Sequence, residues 1–134
     1  MKYKKDYLRR ALASDSYRTD KWILGIFEDW FDPCPYNPNW SENCVDGLKI
    51  DWVDKTFVNP PYSNPKPWVQ KAILTHNLFG GRIAMLLKHD SSTEWYRLIH
   101  ESGAKILLVN GRLKHQTTNS CAFPSMIAVW GELE

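Results

Sequence analysis

Apolar positions recur at helical spacing in two stretches near the start of the chain. Tyr3, Tyr7, Leu8, Ala11 and Leu12 predict an amphipathic helix ending near Ser14-Asp15-Ser16. Trp22, Ile23, Ile26, Phe27 and Trp30 predict a second helix with one apolar face, capped by Thr19-Asp20. A short strand ending at Asp32 follows, and then a loop dense in proline. From Asn39 to Asp54, turn-forming and polar residues surround Val45, Leu48, Ile50 and Trp52, which leaves room for a short strand but not for a crossover helix. Thr56-Phe57-Val58 reads as a buried strand. Pro60 and Pro61 must end it, because they remove two backbone donors and fix two φ angles. Asn64-Pro65 opens the next helix, with Trp68, Val69, Ala72 and Ile73 on its buried side and Gly80-Gly81 as its stop. Arg82 to Leu87 is the clearest central strand. Ser91 and Ser92 are placed to cap a helix containing Trp95, Tyr96, Leu98 and Ile99. Lys105 to Val109 is a further strand that Asn110-Gly111 turns out of, and Ser125 to Trp130 is the last. Strands alternating with helices imply an α/β sheet with right-handed crossovers and an antiparallel final strand.

Composition narrows the class. The chain has 134 residues, 43% of them hydrophobic and seven of them Trp, enough for one folded domain with a single core. No apolar run approaches the roughly 20 residues that span a bilayer, and the basic start lacks the apolar core of a signal peptide. Three cysteines, an odd number, argue for reduced thiols and a cytosolic setting. Cys34, Cys44, Cys121, His89, His100 and His115 show no zinc-ligand spacing, so no metal is expected. The net charge of +2 is unevenly placed: the first ten residues hold five Lys/Arg and one acid, leaving 12 basic and 14 acidic residues elsewhere. Residues 1–16 therefore form a basic N-terminal helix or arm, read either as a solvated helix face or as a contact to phosphates.

The candidate chemistry lies in Asn59-Pro60-Pro61-Tyr62-Ser63. A stiff loop at the carboxyl end of a strand presents an amide, two prolyl carbonyls and an aromatic ring. The run matches the Asn-Pro-Pro-Tyr signature of methyltransferases that modify a planar amino or amide nitrogen, above all N6 of adenine. The residue types suit that task. An exocyclic amino group is a poor nucleophile because its lone pair is delocalised into the ring. A rigid amide oxygen and a prolyl carbonyl can accept its two N–H bonds and favour a more pyramidal nitrogen, while the Tyr62 ring stacks on the flat base, worth about 1–3 kcal/mol. No glycine-rich phosphate loop occurs anywhere in the chain.

From Thr19 to Trp130 the chain resembles the phage-type DNA adenine N6-methyltransferase family. The resemblance rests on an ordered set of short matches: Thr19, Asp32 at the end of the first strand, Asp46-Gly47-Leu48, Trp52, Phe57 to Ser63, Trp68, Lys71-Ala72, Ser91 to Trp95 and Gly111-Arg112-Leu113. It implies a compact Rossmann-like fold dependent on S-adenosylmethionine, with a mostly parallel sheet and helices on both faces, over residues 1–134 as one domain. It further implies methyl transfer to adenine N6 in DNA by a phage or prophage protein acting in the cytoplasm of a host cell. Ligands of open α/β sheets bind beyond the carboxyl ends of the strands, so Thr19, Asp32, Pro33, Cys34 and Asn59 are expected to line the cofactor crevice. Asp46 and Asp51 are candidates for the ribose or adenine of the cofactor. Asp32 as a plain turn cap is the competing reading. Tyr62, Ser63, Lys88, His89 and Arg112 are the candidates for contact with the target.

The chain leaves no room for a separate target-recognition domain, so a flipped-out or single-stranded adenine is the expected substrate form. Two other readings stand beside this one. The same motif could act on a protein glutamine or another amide nitrogen, or the chain could be an inactive nucleic-acid-binding relative.

Overall fold

The computed structural model describes residues 18–36, 46–114 and 123–133. The expected N-terminal helix, Cys44, His115 and Cys121 lie outside the described residues. Helix α1 (Lys21–Ile26) comes first, then a 3-10 turn (Gly47–Lys49), strand β1 (Thr56–Val58), helix α2 (Lys66–Phe79), strand β2 (Ile83–Lys88), helix α3 (Glu94–Glu101), and strands β3 (Lys105–Leu108) and β4 (Ser125–Trp130).

The four strands form one sheet in the order β1-β2-β4-β3. β1 and β2 are parallel, with Thr56 opposite Ile83 and Val58 opposite Met85. β4 is antiparallel both to β2, pairing Ile83 with Trp130 and Lys88 with Ser125, and to β3, pairing Lys105 with Val129. The sheet is therefore not mostly parallel, contrary to the expectation, although the antiparallel final strand holds. β1, β2 and β3 share one direction, but β4 reverses and inserts between β2 and β3, so both of its ladders are antiparallel. The short strand expected at Asp32 is reduced to a parallel bridge between Phe31 and Thr56, with Phe31 N–H donating to the Lys55 carbonyl and Phe57 N–H to the Phe31 carbonyl, both at 2.8 Å. No strand occurs between residues 46 and 55, where the 3-10 turn stands instead.

Alternation along the strands divides the core between two faces. Val58, Met85, Leu87, Ala128 and Trp130 pack under α2 and α3 with Trp68, Val69 and Ile99. Phe57, Ala84, Leu86, Ile127 and Val129 face α1 through Ile23 and Phe27. Helices thus cover both faces. α2 is built as its sequence requires: Pro67 lies in its first turn and Gly80, at φ +70°, ends it in the left-handed conformation. The helix starts after Pro65 rather than at an Asn64 cap.

Three other local expectations shift. α1 is shorter than its apolar pattern, and within it Trp22 and Ile26 stay 52% and 57% exposed while Ile23 and the following Phe27 carry the packing. Asp20 stands at the N-cap of α1, yet its side chain accepts the Lys114 backbone N–H at 3.2 Å instead of a helix N–H. The cap of α3 is Thr93, whose hydroxyl accepts the Tyr96 N–H at 3.2 Å; Ser92 instead donates to Asp90.

Candidate active site

The parallel sense of the Phe31 bridge, β1 and β2, with β3 running the same way, brings their carboxyl ends to one edge of the sheet. Asp32, Asn59, Lys88 and Asn110-Gly111-Arg112 all leave the sheet there. Because β4 runs the other way it begins at that same edge, which adds Phe123 and Pro124.

Asn59 is the first residue after β1 and is only 9% exposed. Its Nδ2 donates to the Oγ1 of Thr19 at 3.0 Å, a buried contact between residues 40 positions apart. Thr19 is 8% exposed. Pro60 and Pro61 are buried, and the Pro61 carbonyl accepts the Asn64 N–H at 3.3 Å, closing a tight turn. This turn aims Tyr62 along the edge. Its ring meets Phe123 edge-on, centroids 5.1 Å apart at 77°. Lys88 Nζ lies 5.8 Å from the Phe123 ring centroid and 3.8 Å from the Asp90 carboxylate. The hydrogen bonds from Ser92 hold the Asp90 carboxyl below the usual aspartate range. His89 tilts against Tyr96 at 5.9 Å. Ser63 and Arg112 are exposed on the same edge.

On the other side of Asn59 lies the Asp32 loop. Asp32 Oδ1 accepts the Cys34 N–H at 2.8 Å, the bond of a turn cap, and Pro33 and Cys34 are buried. The Asp46 turn packs directly on this loop. A Cβ on Gly47 would collide with the Pro33 carbonyl and lie 3.0 Å from Trp68 Cη2, so glycine is what permits the approach. Three residues clamp the turn. Trp52 Nε1 donates to the Gly47 carbonyl at 2.9 Å, Lys71 Nζ donates to the Leu48 carbonyl at 3.1 Å, and Trp68 stacks on Trp52 with centroids 6.0 Å apart. Asp46 Oδ1 accepts the Leu48 N–H at 3.0 Å, while its Oδ2 is buried with no hydrogen-bond partner among the described residues. Asp51 is exposed.

The structure therefore assembles Thr19, Pro33, Cys34 and Asp46 around the strand ends at Asp32 and Asn59, and sets Tyr62 and Lys88 beside Phe123. Sequence reasoning missed Phe123. The signal that would have found it is topological: a final strand antiparallel to its neighbours must start where they end, and Phe123-Pro124 immediately precedes that start. Trp52, Trp68 and Lys71, matched in the sequence without a role, turn out to be the clamp on the Asp46 turn.

Comparison with known proteins identifies the family. The family described as "DNA N-6-adenine-methyltransferase (Dam)" matches residues 18–133. A DNA N-6-adenine-methyltransferase of Haemophilus phage HP1 (strain HP1c1) is 30% identical over 112 residues, covering 74% of this chain and 65% of that protein. One of Escherichia phage T1 is 39% identical over 75 residues, covering 53% of this chain and 29% of that protein. The chain thus spans less than two thirds of the length of either relative. No solved structure matches it. With a family match that takes in Thr19, the Asp46 turn, the Asn59 loop and β4 alike, the chain belongs to the DNA N-6-adenine-methyltransferase (Dam) family.

Proposed function

We propose that this chain transfers a methyl group from S-adenosylmethionine to N6 of adenine in DNA, acting as one Rossmann-like domain over residues 1–134 in the cytoplasm of a phage-infected or prophage-bearing cell. The observation that carries this reading is the buried Asn59 side chain, held at the end of β1 and followed by a rigid Pro60-Pro61 turn and the Tyr62–Phe123 aromatic pair. Three co-directional strands with helices on both faces support the Rossmann-like reading.

The residues on the Asp32 side fit the cofactor. A buried carboxylate oxygen without a partner is costly unless a donor reaches it, and Asp46 Oδ2 is such an atom. Asp46 and Asp32 would hold the hydroxyl or ammonium donors of the cofactor, with Pro33 and Cys34 lining the crevice. When bound, S-adenosylmethionine supplies an electrophilic methyl group on sulfur.

The protein's own contribution is position and polarity. Asn59 Oδ1 and one prolyl carbonyl accept the two N–H bonds of the target amino group. Pro60 provides that carbonyl, because the Pro61 carbonyl is used within the turn by the Asn64 N–H. Tyr62 and Phe123 grip the base, which must be flipped out or single-stranded to reach a strand-end loop. Lys88, His89, Ser63 and Arg112 face the surrounding backbone.

Incubation of plasmid and single-stranded DNA with labelled S-adenosylmethionine, followed by nucleoside analysis, tests the activity. N6-methyladenine should form. Asn59→Ala should lower the single-turnover rate by about 10² or more, as for loss of other preorganised polar groups, while cofactor affinity is retained. A fully active Asn59→Ala protein would end this mechanism.

A further inference from the structure

The contact between Thr19 and Asn59 assigns Thr19 a task other than lining the cofactor crevice. A side-chain amide is planar and has two chemically different edges. Rotation by half a turn about its last bond exchanges an acceptor for a donor. An Asn59 that offers Nδ2 to an adenine amino group would face it with donor against donor. Asn59 Nδ2 instead donates to Thr19 Oγ1 at 3.0 Å, which places Oδ1 on the opposite edge of the amide. Both residues are over nine-tenths buried, so water competes little for this bond.

Thr19 is itself fixed on the sheet by α1. Ile23 is fully buried, and Phe27 stacks on Phe57, two residues before Asn59, with centroids 4.6 Å apart at 16°. The Asp20 carbonyl accepts the N–H groups of Ile23 and Leu24, and the Asp20 carboxylate accepts the Lys114 N–H. The hydroxyl is thus held against β1 by the helix that follows it.

We propose that Thr19 is a positioning residue for transfer: its hydroxyl oxygen, accepting from Nδ2, holds the Asn59 amide at the end of β1 with Oδ1 on the edge away from Thr19. This rests on the reading that adenine N6 is the acceptor. Its effect falls on the chemical step and not on cofactor affinity.

The test compares Thr19→Val, which keeps the shape and removes the oxygen, with Thr19→Ser, which keeps the oxygen. Single-turnover methylation of adenine-containing DNA at saturating S-adenosylmethionine is measured beside calorimetric cofactor affinity, thermal melting and the Asn59 side-chain amide signal in ¹H–¹⁵N spectra. Thr19→Val should slow transfer by about 10- to 100-fold, the scale of a misplaced reacting group. It should also shift the Asn59 amide signal and leave cofactor affinity within about twofold, well under the tenfold that 1.4 kcal/mol represents. Thr19→Ser should recover most of the rate. A Thr19→Val protein that transfers at the wild-type rate overturns the proposal. So does one whose only defect is weaker cofactor binding, which would make Thr19 a cofactor ligand. Parallel loss of melting temperature, affinity and rate in both variants also overturns it, in favour of a purely structural contact. A wild-type protein that leaves adenine unmethylated overturns the activity reading itself, and this role with it, an outcome distinct from an active wild type with an unaffected Thr19→Val.

Discussion

Gly47→Ala should be among the most damaging single-methyl changes in this protein. A Cβ built at residue 47 meets the oxygen and carbon of the Pro33 carbonyl and Trp68 Cη2. Two of those atoms are backbone and the third belongs to a buried ring stacked on Trp52, so none can swing aside as the end of a flexible side chain would. Overpacking of this kind costs about 1–3 kcal/mol. For a chain of this length each kcal/mol moves the melting temperature by roughly 4 °C, so the loss should be roughly 4–12 °C. Relief requires the Asp46 turn to move off the Asp32 loop, which also displaces Asp46 Oδ2, and cofactor affinity should fall with stability. Gly25→Ala is the internal control. Gly25 lies inside α1 with nothing within 4 Å of its added Cβ, so alanine should stabilise by about 0.5–1 kcal/mol. Differential scanning calorimetry on the two variants, with titration of S-adenosylmethionine, reads both effects. A Gly47→Ala protein that melts with the wild type would refute the close approach of the Pro33 carbonyl.

Two further outcomes are expected. Arg82 donates to Asp54 through Nε and its backbone N–H at 3.0 and 2.9 Å and through Nη2 at 2.6 Å, and these bonds hold the Asp54 carboxyl well below the usual aspartate range. A carboxyl depressed on folding stabilises most above its unfolded pKa, about 3.9. The melting gap between wild type and Asp54→Asn should therefore be full at pH 6–7 and shrink as pH falls below about 4; a gap that does not change with pH would refute the pairing. Phe123→Ala should weaken engagement of adenine-containing DNA by about 1–3 kcal/mol with cofactor affinity unchanged, and Tyr62→Phe should be mild because stacking needs only the ring; equal DNA affinity in Phe123→Ala would remove it from the site.

Elements with strong local signals were readable from the residues alone. The proline pair after Val58, the glycine after Phe79 and the unbroken apolar run of β2 each impose a conformation without help from the rest of the chain. Ser125–Trp130 was placed correctly for the same reason. What could not be read was set by distant partners. α1 stops at Ile26, and Phe27 and Trp30 pack against the sheet from beyond its end, so an apolar pattern that continues to Trp30 overstates its length. Asp20 gives up its capping bond for the Lys114 backbone, a partner 94 residues away that no local pattern announces. In the site, the motif loop identified itself by composition. The Tyr62–Phe123 contact depended on where β4 enters the sheet, and the clamp on the Asp46 turn depended on α2 reaching across with Lys71.

The placement of β4 also bears on how the protein is made. It separates β2 from β3 in space but follows both in sequence, so a growing chain on the ribosome completes the two outer parts of the sheet before the strand that joins them. Until then β2 and β3 each carry an unsatisfied backbone edge, the kind of surface that recruits other strands. Residues 125–130 close both edges at once, and with them Phe123 reaches Tyr62. The Tyr62–Phe123 contact thus forms only once β4 has joined the sheet, so a chain synthesised only as far as β3 lacks it.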